Sequence, residues 1–186
     1  LVERANSAGV SAKYRVVFGK SWLEILRQVH VGQHDFVISG TRHRSNVLSA
    51  LLGSTGMKLL RKCPCPVWIT QPRNHQELRS VVSATDFSLV CDFAIDLAVS
   101  LGELSGADLH IVHALPLSDE ATLRRAGMLQ ADILAYRQHA EQHAEDEMNR
   151  LLARECLQAL PKTPRVHIES GDASQVILNR TEAHSA

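Results

Sequence analysis

Residues 35–70 read DFVISGTRHRSNVLSALLGSTGMKLLRKCPCPVWIT, and this stretch decides the fold. Asp35–Ser39 is a short apolar run closed by Gly40, the pattern of a parallel strand buried on both faces. Thr41–Asn46 is polar, and Val47–Leu60 has helical spacing interrupted by Gly53 and Gly56. Pro66–Thr70 is a further strand run. A strand that leaves through a glycine-bearing loop into a helix and returns to a strand is the unit of a parallel α/β sheet. Ligands of such sheets bind beyond the carboxyl ends of the strands. There Gly40 and Gly53 would let backbone N–H groups approach phosphate oxygens, Ser54 and Thr55 would add hydroxyl donors, and Arg42 and Arg44 positive charge. The residues alone also admit a plainer reading, in which Gly40 ends a strand and Gly53 and Gly56 serve turns and packing.

The alternation continues in both directions. Upstream, Leu1–Gly9 reads as the end of a helix and Ser11–Phe18 as a strand. Ser21 then caps a short helix with Leu23, Ile25, Leu26 and Val29 on one face. Downstream, Gln71–Glu77 is polar and contains a Pro, the best linker in the chain. Strand and helix then restart: Leu78–Ala84 as a strand, then a helix opened by Asp86–Ser88 and running to about Ser105. Ala94, Leu97, Ala98 and Leu101 fall on one face of that helix. Leu109–Leu115 is a strand, Ser118–Leu160 a long helical stretch with a break near Gly127, Arg165–Glu169 a strand, and Asp172 onward a helix. The fold class expected is α/β, an open and mainly parallel sheet with helices on both faces.

Composition narrows the function. The 186 residues are 45% hydrophobic and 22% charged, ordinary values for a globular chain. Lys plus Arg equals Asp plus Glu at 20 each, so bulk electrostatic binding to nucleic acid or an anionic membrane is not expected. Four Cys do not make a disulfide framework, and no apolar run approaches the roughly 20 residues of a membrane helix. No secretory signal is visible, so a cytoplasmic location is expected.

The motif order resembles the universal stress protein family. That family carries G-x2-G-x9-G-[ST] after its fourth strand, then a helix and a segment like LLR-x-x-PCPV. This chain has Gly40, His43 where the second glycine belongs, Gly53-Ser54, and Leu59-Leu60-Arg61-Lys62-Cys63-Pro64-Cys65-Pro66-Val67-Trp68. The last run is most similar to tandem-domain, UspE-like members. Ala84-Thr85-Asp86-Phe87-Ser88 resembles the end of the family's first strand, where an Asp meets the adenosine part of a nucleotide. Leu109–Ala114 resembles the second strand, with Ala114 at an adenine-contacting position, and Ser170-Gly171-Asp172-Ala173 the end of the third.

The resemblance implies an adenine nucleotide alpha hydrolase-like fold in an unusual frame. Residues 1–72 match the later part of one domain, 73–77 form the linker, and 78–186 match the early part of a second. With Leu1 in place of a Met, this reads as an excerpt of a longer tandem chain. Alternatively, strands within 34–70 and 78–170 could join in one hybrid five-stranded sheet. The seven residues Gln71–Glu77 reach about 23–25 Å when extended, barely enough to run back along a strand. The implied function is a stress-response protein that binds ATP or another adenine nucleotide through Ala84, Thr85, Asp86, Ala114, Gly40, Arg42, His43, Gly53, Ser54 and Thr55. A second reading is an interaction module that no longer binds nucleotide and self-associates as a homodimer, since Val67-Trp68-Ile69 lies on the strand that pairs between domains in the family. His43 separates the two readings. It puts a Cβ and an imidazole where bare backbone would meet phosphate, yet a protonated His43 could donate to a phosphate oxygen.

Other constellations carry less. Cys63 and Cys65 raise a thiol-sensor or metal reading, but a soft-metal site needs further ligands at suitable spacing, and small half-apolar residues at a strand start fit them as well. His139 and His143 sit one helical turn apart without the HExxH order, as on a solvated polar face. His110 and His113 point to opposite faces of their strand. No metal is expected, and no catalytic set emerges, so slow incidental ATP hydrolysis is the most activity implied.

Overall fold

A computed structural model describes residues 1–40, 53–70, 77–115 and 120–184. Its packing divides into two units, Leu1–His75 and Gln76–Ala186.

The first unit contains α1 (Val2–Ser7), α2 (Ser21–Gly32), β1 (Val37–Gly40), α3 (Gly53–Lys62) and β2 (Val67–Thr70). β1 and β2 pair in parallel, with Val37 opposite Val67 and Gly40 opposite Thr70. α2 packs on α3, and α3 on β2. The Lys58 and Lys62 ammonium groups lie 5.2 and 5.6 Å from the Trp22 ring, a cation–π clasp between the two helices. Among the described residues of this unit, Val29 and Leu59 are the buried aliphatic side chains.

Two expectations for this unit are corrected. Ser11–Phe18 forms no strand, and Tyr14, Val16 and Phe18 are exposed. A strand needs a ladder partner for its N–H and C=O groups, and β-propensity reports fit to a half-buried pleated surface. β1 and β2 pair with each other and offer this segment neither. Ser21 is the first helical residue rather than the cap, which is Lys20, and no side chain closes that helix end.

The second unit runs β3 (Ser80–Ala84), α4 (Leu89–Ser105), β4 (Asp108–Leu115), α5 (Glu120–Arg125), α6 (Gln130–Leu152), α7 (Glu155–Gln158), β5 (Arg165–Ser170) and α8 (Ala173–His184). The three strands are parallel with β4 in the centre. Alternation along β4 sorts its side chains between two layers. Leu109 and Ile111 enter a core with Ile95, Ala98 and Val99 of α4, Met148 and Leu151 of α6, and Leu157 of α7. His110 faces the other way, toward α8, which packs on β3 and β4. Both faces of β4 are thus covered, in keeping with the five apolar residues of LHIVHAL.

The buried stripe of α4 is Ile95, Ala98, Val99 and Gly102, while Ala94, on the expected stripe, is exposed. Gly102 lies on this buried stripe, and a Cβ there would meet the Ala107 carbonyl oxygen at 3.6 Å, an ordinary contact. The expected long helix over 118–160 is divided into α5, α6 and α7, with Gly127 in a left-handed turn at φ +88° after α5.

The described strands form a two-stranded sheet in the first unit and a three-stranded sheet in the second. Within each unit, strands consecutive in the chain pair with each other through helical crossovers. Among the described residues, no helix is long and apolar enough to cross a membrane.

Candidate functional site

The carboxyl end of β3 is the most constrained loop in the second unit. The Thr85 N–H donates to the Val112 carbonyl at 2.9 Å and continues the ladder by one residue. The buried Thr85 hydroxyl accepts the Phe87 N–H at 2.9 Å, and the Thr85 carbonyl accepts Nδ1–H of His113 at 2.8 Å. That bond fixes the His113 tautomer. Phe87 takes φ +61°, a left-handed conformation that costs a bulky residue energy. Its ring lies 4.3 Å from that of His113, so the strained residue is held from both ends. His113 thus packs at the strand end, between the Thr85 carbonyl and the Phe87 ring.

This loop presents Asp86. Its Oδ1 accepts the Ser88 N–H at 2.9 Å and the Cys91 thiol at 3.1 Å. Hydrogen bonds from Ser88 first, then Cys91, hold the carboxyl down at about 2. Asp86 is exposed and ionised, just ahead of α4, whose N-cap is Ser88. The stability linked to this shift is present above 3.8, the ordinary value, and is lost as pH falls through about 2. Exposure keeps it small. The Asp86 carboxyl carbon should titrate in an NMR experiment with a midpoint near 2, and Cys91→Ala should raise it. A midpoint of 3.8 in the parent chain would refute the assignment.

Ala84, Thr85, Asp86 and Ala114 therefore share one sheet end. Ala114 stands opposite Glu169 of β5 near the end of β4. Gly171, just past β5, donates its N–H to the Leu115 carbonyl at 3.2 Å, and Asp172 Oδ1 accepts the Gln175 N–H at 3.1 Å, capping α8. The remaining described candidates lie in the first unit. Gly40 ends β1, and Gly53 opens α3 at φ +56°, with exposed Ser54 and half-buried Thr55 in its first turn. Arg42 and His43 lie outside the described residues. The candidate set is thus divided between two sheets. A polar cavity of about 560 Å³ opens at the opposite, amino-terminal end of β3 and β4, lined by Glu77, Arg79, Ser105, Asp108 and Lys162.

The cysteine pair is close, with Sγ atoms 3.6 Å apart and both residues half-buried. Burial first, and then Cys63, pushes the Cys65 thiol up, which lowers its thiolate fraction and its reactivity. His139 and His143 are both exposed on α6.

A third constellation has no motif in the sequence. His110 of β4, His167 of β5 and His184 of α8 meet on the sheet face opposite the main core. His110 and His184 stack with centroids 3.7 Å apart, and His110 Nδ1 lies 3.1 Å from His167 Nε2. Burial is the leading cause lowering the pKa of both His110 and His167, so their neutral forms prevail. The sequence does not single out His167 and His184. The one available signal was a pair of histidines near matching positions of two adjacent parallel strands, LHIVHA and RVHIE.

The model of the universal stress protein family matches residues 1–71 and 77–186. The chain belongs to the universal stress protein family. It is similar to the universal stress protein E of Photorhabdus laumondii, 26% identical over 121 residues, covering 60% of this chain and 38% of that protein. The Escherichia coli K12 universal stress protein E matches with the same identity and coverage. The chain thus spans about two fifths of the length of these curated relatives. Among solved structures, a universal stress protein from Archaeoglobus fulgidus has a TM-score of 0.62 at 24% identity, covering all of this chain and 60% of the other. A functionally unknown protein from Pseudomonas aeruginosa PAO1 reaches 0.72 at 18% identity, covering all of this chain and 62% of the other. These likenesses show the fold, parallel sheets flanked by helices, that the glycine segment and LLRKCPCPVW led us to expect of a universal stress protein.

Proposed function

We propose that this chain is part of a cytoplasmic stress-response protein whose second unit recognises the adenosine portion of a nucleotide at the carboxyl end of β3. The observation that carries the proposal is the Asp86 carboxylate, ionised, exposed and fixed by Ser88 and Cys91. A pre-oriented carboxylate at a strand end suits two vicinal hydroxyl donors such as those of ribose, because no side-chain freedom is lost on binding. Ala84 and Ala114 are small enough to leave room for a base beside it. Thr85 sets the loop through its hydroxyl and carbonyl rather than by touching ligand. Gly40, Arg42, His43, Gly53, Ser54 and Thr55 are the candidate phosphate-binding residues. No turnover is assigned.

Calorimetry with AMP and ATP on the purified chain tests this. Asp86→Ala should weaken binding of both at least tenfold, about 1.4 kcal/mol. Ser54→Ala should weaken ATP more than AMP if the first unit supplies phosphate contacts. No heat with either nucleotide, and none co-purifying, would remove the nucleotide reading. The second reading, a homodimerising module, is favoured by one observation: Ile38 and Trp68, opposite each other on β1 and β2, are 65% and 40% exposed. Sedimentation of the parent chain against Trp68→Ser reads it directly.

A further inference from the structure

We propose that His110, His167 and His184 form a binding site for one divalent transition-metal ion of the zinc class, which ties α8 to β4 and β5. The inference is independent of nucleotide binding and departs from the expectation that the chain holds no metal.

Three observations carry it. Three imidazoles come from three separate elements and bring one ligand nitrogen each within 4.8 Å of the others. The His110 Nδ1 to His167 Nε2 separation of 3.1 Å is close to the span of about 3.3 Å between two nitrogens bound tetrahedrally at about 2.05 Å. His184 Nε2 is buried and has no hydrogen-bond partner, so a ring nitrogen is desolvated with nothing to compensate it. A metal ion would supply that partner.

The chemistry of the surroundings fits a cation. Imidazole is the ligand of choice for zinc, copper and nickel, and three protein nitrogens leave the fourth position to water. Binding turns the rings about their Cβ–Cγ bonds from stacked to convergent. The proton now shared between His110 and His167 then sits on the outer nitrogen of its own ring, so a neutral cluster need release none. Two arginines border the site, and the carboxylate nearer Arg165, Asp108, is shared with Lys162 at 2.8 Å. Arg180 of α8 pairs with Glu169, and Arg165 lies 3.7 Å from Asp108. The His184 carbonyl accepts the Ser80 hydroxyl at 3.0 Å, which anchors the last turn of α8 to β3 and fixes where the third ligand starts.

The test uses the tag-free chain, stripped with chelator and titrated with zinc chloride by calorimetry. One equivalent should bind, and Co2+ should give the intense visible bands of a four-coordinate site. His184→Ala and His167→Gln should each weaken zinc at least tenfold and abolish the Co2+ bands, with far-ultraviolet spectra unchanged. His184 lies in the last described turn of α8, so its variant isolates ligation from folding. The double variant His139→Ala/His143→Ala and the double variant Cys63→Ser/Cys65→Ser should bind as the parent does. No stoichiometric uptake, binding within twofold of the parent in both triad variants, or uptake lost only in one of the double variants would each overturn the site.

Discussion

Ile111→Ala is expected to lower the stability of the Gln76–Ala186 unit by about 4 kcal/mol, toward the upper end of large-to-small core substitutions. Ile111 is fully buried in the central strand. It faces a cluster supplied by α4, α6 and α7 together, so no single helix can move in to fill the space. The removed methyl and methylene groups lose their transfer free energy, and the cavity adds to it because the strand is pinned by ladders on both sides. Such a loss is a large share of the roughly 5–15 kcal/mol that holds a typical domain together. Urea unfolding followed by circular dichroism measures it. Leu134→Ala, at a 55% exposed position of α6, is the control and should cost less than about 1 kcal/mol. A loss for Ile111→Ala no greater than that of the control would mean that the core does not close over β4.

Gly171→Ala should cost about 2 kcal/mol, within the usual range for a residue forced into a sparsely populated backbone conformation. Gly171 has φ +148°, and a Cβ there would lie 3.3 Å from Val176 Cγ2, a buried group of α8. Relief by a backbone shift would loosen the Gly171 N–H bond to the Leu115 carbonyl, which joins the ends of β4 and β5. The same urea experiment reads the cost. An Ala variant as stable as the parent would show that the turn adjusts without strain.

The fold was legible where residue type and position are tied by local geometry. The Gly40 and Gly53 spacing, the LLRKCPCPVW run and the β-rich LHIVHAL each encode one strand or one turn, and they led to parallel strands with crossover helices. Legibility failed where the deciding partner is remote. Ser11–Phe18 carries the strand-favouring Tyr14, Val16, Val17 and Phe18, yet strand formation depends on a neighbour that the segment cannot specify. The stripe of α4 is rotated from the one its apolar spacing suggests, because the neighbours it packs on decide which face is buried. The same limit applies to the sites. Asp86 stood out through its neighbours in sequence. Phe87 in a left-handed conformation did not, because nothing in Thr-Asp-Phe-Ser announces positive φ. The histidine cluster needed the register of β4 on β5 and the docking of α8 before its members became neighbours.

The unequal burial in the two units has a consequence for any measurement of stability. Among the described residues, the first unit buries Val29 and Leu59, whereas the second closes an extended cluster over three helices. Where the two units unfold independently, melting of the whole chain is a sum of two transitions with different midpoints and enthalpies, and all-or-none thermodynamics applies to each unit separately. A single fitted midpoint would average a weakly held cooperative block with a strongly held one. The free-energy changes given above for Ile111 and Gly171 belong to the second block alone, and a two-transition fit is the form in which they appear.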